Sequence, residues 1–269
     1  MSIINQIVKG SGGSAPAHYI QRNVDTNGKL VKTGSMSIID MTGVTDIGDY
    51  ALYREYEGNT NISGTVHMGD LVQITGTACC QKCFYGCTGI TGVNLSSLKT
   101  INTPNATDEA NYPLFQMFSG SGLSGVLDLS NLETVNGQFA CTQWFANCTG
   151  ITGINITKLK TIGTSAFGNV FRGCTGITGS IFFSALEQIG NYGIVGLFNN
   201  CVGITEINFP ALKTVGTSCF NVMCTGMTNV TLHFPSNMQS AIEAQTGYST
   251  TAPFGATSGT VLFDLPATS

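Results

Sequence analysis

The sequence has few charged residues and no long apolar run, and these absences exclude several classes of protein. Only 10% of the 269 residues are charged and the net charge is −4, so the chain lacks a basic surface that would neutralise phosphates. No apolar run approaches the roughly 20 residues that span a bilayer. The opening MSIINQIVKG has neither the basic start nor the long apolar segment of a secretory signal. We therefore expect no nucleic-acid partner, no membrane insertion and no export by the ordinary signal-peptide route.

The short motifs of common catalytic and cofactor sites are also missing. There is no P-loop, no dinucleotide-binding fingerprint and no H-E-x-x-H motif. The three histidines, His18, His67 and His233, fall in separate segments, and no sequence argument brings them to one site. We expect a protein that is not an enzyme and that needs no cofactor.

What the sequence does contain is one segment repeated along most of its length. A nine-residue template, apolar at its first, third, sixth and ninth positions, begins at Ile154 (INITKLKTI). Further copies begin at Ile39, Val66, Val93, Leu127, Ile181 and Ile207, with a degraded copy at Val230. Most starts are 26 or 27 residues apart, an interval typical of leucine-rich repeats, in which stacked units share one core. This periodicity predicts an α/β repeat solenoid with about eight short parallel strands.

Each template is followed by a return segment of the form I-G-x-x-A-F-x-x-x-F-x-x-C-T-G-I. In the central copy its apolar positions are Ala166, Phe167, Phe171 and Cys174. Their spacing predicts about two helical turns that pack one face on the strands.

The segment TGITGINITKLKTIGTSAFGNVFRGCTGIT and its neighbours, over about residues 38–232, resemble the BspA-like (Treponema-type) leucine-rich repeats of bacterial surface proteins. The match rests on F-x-x-C-T-x-[IL] followed by a strand and I-G-x-x-A-F, and it is specific because it recurs. Most units run near 27 residues, longer than the commonest form of that repeat. The resemblance implies a curved solenoid used for adhesion or binding, with no catalytic residues to carry over.

Four segments are expected along the chain: a flexible anchor at 1–15, a hairpin cap at 16–35, the solenoid at 36–232 and a C-terminal cap at 233–269. The hairpin is centred on Asn27 and Gly28, which tolerate the positive φ angles of a tight turn. In the C-terminal cap, Ser236 is expected to N-cap a helix that ends at Gln245, and Thr260–Leu265 to form a closing strand.

The first residues carry four apolar side chains, Ile3, Ile4, Ile7 and Val8, which would lie on one side of a short helix. The run GSGGSAPA follows them as a flexible tether. These four residues are expected to dock on a partner in a larger assembly, and a frayed terminus is the alternative.

The ten cysteines follow the repeat. One slot of the return segment, filled by Asn59 in the first unit, holds Cys87, Cys148, Cys174, Cys201 and Cys224. A side chain in this slot is expected to turn inward and bond the backbone of a bend. Cys79, Cys80 and Cys83 fall at packing positions, and the paired ligands of a zinc site are missing, so no metal is expected although the cluster leaves the question open. Free buried cysteines favour folding in a reducing cytoplasm.

The outward strand positions are the candidate binding surface. The second template position is, in turn, Asp40, His67, Asn94, Asp128, Asn155, Phe182, Asn208 and Thr231. Short polar side chains there could hydrogen-bond sugar hydroxyls or a protein surface, and Phe182 could stack on a ring. A face that is polar only because it is solvated is the alternative. We predict ligand binding by Asn94, Asp128, Asn155, Phe182 and Asn208.

The third unit carries an insertion, NTPNATDEANYPLFQM, which includes Asp108 and Glu109. Insertions in a solenoid extrude on one rim, which is often the binding rim. A surface loop without a role is the alternative.

These features together predict an adhesion protein displayed on a bacteriophage virion, at its tail, baseplate or head, that recognises a host-surface glycan or protein. Such a protein folds in the host cytoplasm, in keeping with the missing signal and the free cysteines. The opening MSIINQIVKGSGG and the later HYIQRNVDTNGKLVKTGS also resemble N-termini of repeat proteins in gut bacteriophage genomes. Other virion proteins would be partners through the N-terminus. The alternatives are a purely structural virion component and a bacterial cell-surface leucine-rich-repeat adhesin.

Overall fold

The chain folds as a stack of parallel coils, each with one main strand and most with a second, shorter strand. The computed structural model describes residues 44–269 together with the strand backbones at 3–8, 18–23 and 39–40. In chain order, the strands are β1 (Ile3–Val8), β2 (His18–Asn23), β3 (Ile39–Asp40), β4 (Gly64–His67), β5 (Gln73–Ile74), β6 (Ile90–Asn94), β7 (Thr100–Asn102), β8 (Ser124–Asp128), β9 (Thr134–Asn136), β10 (Gly150–Asn155), β11 (Thr161–Ile162), β12 (Thr178–Phe182), β13 (Gln188–Ile189), β14 (Gly203–Asn208), β15 (Thr214–Val215), β16 (Val230–Pro235) and β17 (Gly259–Leu265).

The N-terminal segment is a strand, so the short helix expected there is wrong. Strands β1 and β2 pair antiparallel, with Ile3 opposite Asn23 and Val8 opposite His18. Four of the six residues of β1 are Ile or Val, whose branched side chains favour extended backbone. Among the described residues, β2 therefore pairs with β1. The tether and the Asn27-Gly28 turn lie outside the described residues.

The eight predicted main strands are all present, and the solenoid prediction is confirmed. Equivalent template positions pair in parallel: Val66 lies opposite Val93, Leu127 opposite Ile154 and Ile181 opposite Ile207. Hydrogen bonds join the main strands in three groups, β3-β4-β6, β8-β10 and β12-β14-β16-β17. The predicted closing strand, Thr260–Leu265, lies within β17, which is the ninth main strand.

The last copy of the template begins two residues later than the sequence suggested. Ile207 lies opposite Leu232 instead of Val230, and Asn208 lies opposite His233. His233, and not Thr231, therefore continues the outward row. A shift of two residues leaves the same strand face inward, which is why apolar alternation alone could not choose the register.

A second parallel sheet, not expected from the sequence, runs along the stack in the order β5-β7-β9-β11-β13-β15. It forms where each template ends, at the ninth position. Ile162 there lies opposite Val135 on one side and Ile189 on the other, and all three side chains are buried.

The return segments are successive turns, so the predicted helical turns are wrong. In the central coil Ser165, Asn169 and Gly173 have φ of 51°, 54° and 72°, and a residue with positive φ every four positions cannot continue a right-handed helix. Alternate N–H groups bond within the coil and to the next one: Arg172 donates to the carbonyl of Asn169 at 3.1 Å, and Asn169 to that of Val195 at 2.8 Å. We call this ladder the turn ribbon; it comprises residues 48–59, 76–87, 111–121, 137–148, 163–174, 190–201 and 216–227.

Stacked rings fill the core beneath the turn ribbon. Adjacent centroids are 5.1 to 5.9 Å apart, with planes within 15° of parallel, along the series Tyr56, Phe84, Phe118, Phe145, Phe171 and Phe198. Each ring comes from a different coil, so the stack ties six coils together. Aromatic pairs contribute about 0.5 to 1.5 kcal/mol beyond area burial.

The C-terminal cap contains a small helix that is shorter than predicted. A 3₁₀ turn at Ser236–Met238 leads into α1 (Gln239–Glu243), and neither has a side-chain cap hydrogen bond, so the capping box at Ser236 is wrong. Extended Pro235 directly precedes the 3₁₀ turn, and Ser236 lies inside it as its first residue. Within the described part of the chain, no helix has the length and apolar character needed to cross a membrane.

Candidate functional site

The outward row of the main strands contains the predicted ligand-binding residues, but their environments differ. Asn94 and Asp128 are exposed, Asn155 is half-buried, and Phe182 is 52% exposed. Asn208 is only 6% exposed, which contradicts its assignment to an open surface. In the paired strands it lies between Phe182 and His233.

Asn94 and Asp128 have a local structural role in addition to their exposure. The Oδ1 atom of Asn94 accepts a hydrogen bond from the backbone N–H of Ser96 at 3.0 Å, and Asp128 bonds Ser130 in the same way at 3.0 Å. These bonds form the local turns that end β6 and β8. Substituting either residue would therefore perturb the bend as well as the surface.

The buried amide of Asn208 is not fully satisfied. Its Nδ2 atom is buried and has no hydrogen-bond partner among the described residues. An unpaired buried donor costs about 1 to 3 kcal/mol. The unpaired amide therefore lowers the stability of this part of the stack.

Sequence reasoning missed a line of polar side chains that crosses four strands beside Phe182. The Ser180 hydroxyl donates to Glu206, the Nε2 atom of His233 lies 3.1 Å from Glu206 Oε1, and His233 Nδ1 lies 2.9 Å from both carboxylate oxygens of Asp264. The residues come from β12, β14, β16 and β17 in spatial order. We call them the polar line.

The polar line was missed because of the two-residue error in the last template. The dipeptide Phe209-Pro210 recurs as Phe234-Pro235, and this match would have placed His233 beside Asn208. Asp264 could not be aligned in this way, because β17 lies outside the repeat pattern.

The order of groups in the polar line suits hydrogen bonding to a ligand and does not suit nucleophilic catalysis. In a serine–histidine–carboxylate triad the histidine contacts the serine, whereas Ser180 contacts Glu206 and both ring nitrogens of His233 face carboxylates. Ionised carboxylates only accept, so His233 satisfies both only when both nitrogens carry hydrogen. Glu206 and Asp264 keep side-chain exposures of 35% and 48%, which leaves both within reach of a ligand.

The repeated cysteine slot has the structural role that the sequence predicts. Cys87 Sγ donates to the carbonyl of Tyr56 at 3.0 Å, and Cys201 Sγ to that of Phe171 at 2.9 Å, each reaching the preceding coil. Burial raises the pKa of Cys87 to about 11 and that of Cys201 to about 12. In the inserted third unit Ser121 replaces the cysteine. All ten cysteines are free and buried.

Cys79, Cys80 and Cys83 are part of the core. Each is fully buried, and burial raises the pKa of the Cys80 thiol. In the described part of the chain, no group of three or more His, Cys, Asp or Glu side chains is arranged to hold a metal ion.

A cavity of about 460 Å³ opens on the turn ribbon, away from the predicted residues. The surface that faces the cavity belongs almost entirely to carbon atoms, although several of the lining residues have polar groups; they are Gln138, Phe139, Thr142, Ser165, Gly168, Asn169, Tyr192 and Val195. The insertion borders it, because Asn105 Oδ1 accepts from the backbone N–H of Gln138 at 3.0 Å. Asp108 and Glu109 are exposed, and Asp108 caps a short 3₁₀ turn at Glu109–Asn111.

Parallel coils with a recurrent inward cysteine define a leucine-rich-repeat solenoid. The chain belongs to the BspA type leucine-rich repeat family, whose model matches residues 31–170, 94–194 and 138–246. One solved structure that is similar is described as the crystal structure of pneumococcal vaccine antigen PcpA, with 13% identity, coverage of 86% of this chain and 67% of that chain, and a TM-score of 0.40. No curated protein sequence matches. Such a fold is typical of non-enzymatic binding proteins, and the family fits a binding or adhesion role.

Proposed function

We propose that the protein is a non-enzymatic adhesin that binds a host-surface glycan or protein through the outward face of its main strands. The observation that carries the proposal is Phe182, which is 52% exposed in a row of mostly short polar side chains. An isolated aromatic side chain on a polar face can stack on a sugar ring or anchor a protein contact.

The polar line supports binding at the same end of the face. Ser180 lies two residues before Phe182 on β12, so both project from the same side of the strand. Glu206 and Asp264 offer partly exposed acceptors close by. A stacking ring beside several hydrogen-bonding groups suits a polyhydroxylated ligand, and Asp128 and Asn155 extend the polar surface along the row.

Display on a virion is the finer part of the proposal. It is supported by the ten free, buried cysteines, which are compatible with folding in a reducing cytoplasm before release. In this proposal Ile3, Ile4, Ile7 and Val8 dock on other virion proteins through a strand. Mass spectrometry of purified particles from a source that carries this coding sequence tests display, and its absence from them would favour the bacterial cell surface.

The binding face is tested with purified protein on intact bacterial cells and their isolated polysaccharides. We expect saturable binding that weakens about tenfold or more in Phe182→Ala and Glu206→Gln, because each removes a contact without opening the core. Tyr85→Ala, which removes an exposed ring from the turn ribbon, is the matched control and should bind as the wild type does.

Two outcomes would count against the strand face. Saturable binding that is equal in the wild type and Phe182→Ala would place the ligand elsewhere. No binding to any cell or glycan would favour a purely structural component, such as a head or baseplate decoration.

A further inference from the structure

One position of the turn ribbon carries aromatic residues in most coils. It is occupied in successive coils by Tyr50, Ala78, Tyr112, Phe139, Ser165, Tyr192 and Ser218. Backbone hydrogen bonds hold these positions side by side: the Ser165 N–H donates to the carbonyl of Asn191 at 2.8 Å, and that of Phe139 to Ser165 at 3.2 Å. In the one place where neighbouring coils both have a ring at this position, Tyr112 and Phe139, the rings stack at 4.5 Å and 20°.

The column has two breaks between aromatic residues, and they differ. At Ala78 the break is bridged, because the Tyr50 hydroxyl donates to Asn111 Oδ1 at 2.6 Å, on the coil beyond Ala78. At Ser165 it is open. The cavity of about 460 Å³ lies there, with Phe139 and Tyr192 lining it from the two adjacent coils.

The spacing at Ser165 suits one ring. Neighbouring strands lie about 4.8 Å apart, so side chains two coils apart are separated by about 10 Å. Stacked rings in this protein have centroids 4.5 to 5.9 Å apart. A single ring above Ser165 would therefore reach stacking distance of both Phe139 and Tyr192. The cavity volume is also within the range of about 300 to 1,000 Å³ typical of ligand sites.

We propose that this cavity, which we name the ring slot, binds one aromatic side chain of a partner protein. The surface that faces the cavity is almost wholly carbon, so few polar atoms point at a bound group, which favours an aromatic ring over a sugar. Tyr192, which lines the cavity, is 49% exposed, and exposed tyrosines are enriched in protein interfaces. The ring slot is separate from the strand face, so either site can exist without the other.

The test uses the full chain, with N-acetyl-L-tryptophanamide as the probe. Binding of the probe is measured by saturation-transfer difference NMR. N-acetyl-L-leucinamide is the matched probe without a ring, and methyl α-D-glucopyranoside represents sugars. We expect weak, saturable binding of the tryptophanamide, at least threefold tighter than either of the others. Tyr192→Ala should weaken it about threefold to tenfold, because one stacked pair is lost.

A variant that fills the ring slot gives a sharper test of the proposal. Ser165→Tyr would restore the column, and the backbone permits it because Ser165 has a φ of 51° and Tyr192, at the equivalent position, has 55°. We expect Ser165→Tyr to abolish tryptophanamide binding with an unchanged or higher melting temperature, while Tyr85→Ala binds normally. Absence of saturable tryptophanamide binding, equal binding of the leucinamide, stronger binding of the glucoside, or unchanged binding in both Ser165→Tyr and Tyr192→Ala would each overturn the proposal.

Discussion

The stack of core rings predicts that Phe171 is one of the most costly residues to truncate. Phe171 is fully buried, and its ring lies 5.9 Å from that of Phe145 and 5.9 Å from that of Phe198. Phe→Ala in a packed core costs about 3 to 5 kcal/mol, which includes the cavity that is left. Two stacked pairs are lost at once, each about 0.5 to 1.5 kcal/mol, so we expect the upper part of that range for Phe171→Ala.

The free energy of unfolding is measured by urea denaturation, with the fluorescence of Trp144 as the signal. This is the only tryptophan of the chain; it is fully buried and its ring lies 4.5 Å from that of Phe145, next to Phe171 in the stack. Phe182→Ala is the matched control, because its ring is exposed and its loss should change stability by less than about 0.5 kcal/mol.

The reasoning is refuted if the two variants have the same urea midpoint and the same slope of unfolding free energy against urea concentration. A smaller slope in Phe171→Ala alone would instead show that the coils on its two sides unfold separately, since each coil contacts only its neighbours.

Two further predictions concern the buried thiols and the glycines between coils. Burial raises the pKa of Cys87 to about 11 and of Cys201 and Cys219 to about 12, from 9.0, so between pH 9 and about 11 only the unfolded chain loses these protons. The free energy of unfolding should therefore fall as pH rises, by about 1.4 kcal/mol per pH unit for each such thiol, and urea titrations that are flat from about pH 8.5 to 10.5 would contradict this. A Cβ on Gly190 would lie 2.7 Å from backbone atoms of the preceding coil, so Gly190→Ala should cost about 1 to 3 kcal/mol in thermal or urea unfolding. In Gly153→Ala the added Cβ meets only a side-chain carbon at 3.6 Å, and an equal loss there would show that glycine flexibility, and not close approach, sets the cost.

The prediction of helical return segments failed for a physical reason that the sequence partly contained. Apolar spacing can match a helix, but Asn169 and Gly173, four residues apart, both favour left-handed backbone. Placing such residues every fourth position produces turns whose free N–H and carbonyl groups bond the next coil. Apolar periodicity reports which residues are buried, and it does not report where the backbone hydrogen bonds go.

The candidate site shows the same limit of prediction from the sequence. Phe182 was correctly expected on an outward position because strand alternation is local. Asn208 has the same alternation but is buried, and the exposure of an outward position cannot be read from the sequence of one coil because its neighbours belong to other coils. The polar line joins Ser180 to Asp264 across four strands, and the distances within it depend on a register that one repeat cannot encode.

The sequence by itself determined the repeat, the eight main strands and the inward cysteine slot, because each depends on residues within one coil and on the spacing to the next. Only the tertiary structure decided which side chains meet across coils. The second sheet, the polar line and the open gap at Ser165 all arise from contacts between neighbouring coils, where the backbone hydrogen bonds of the stack set the distance between side chains that are 26 or more residues apart in the chain.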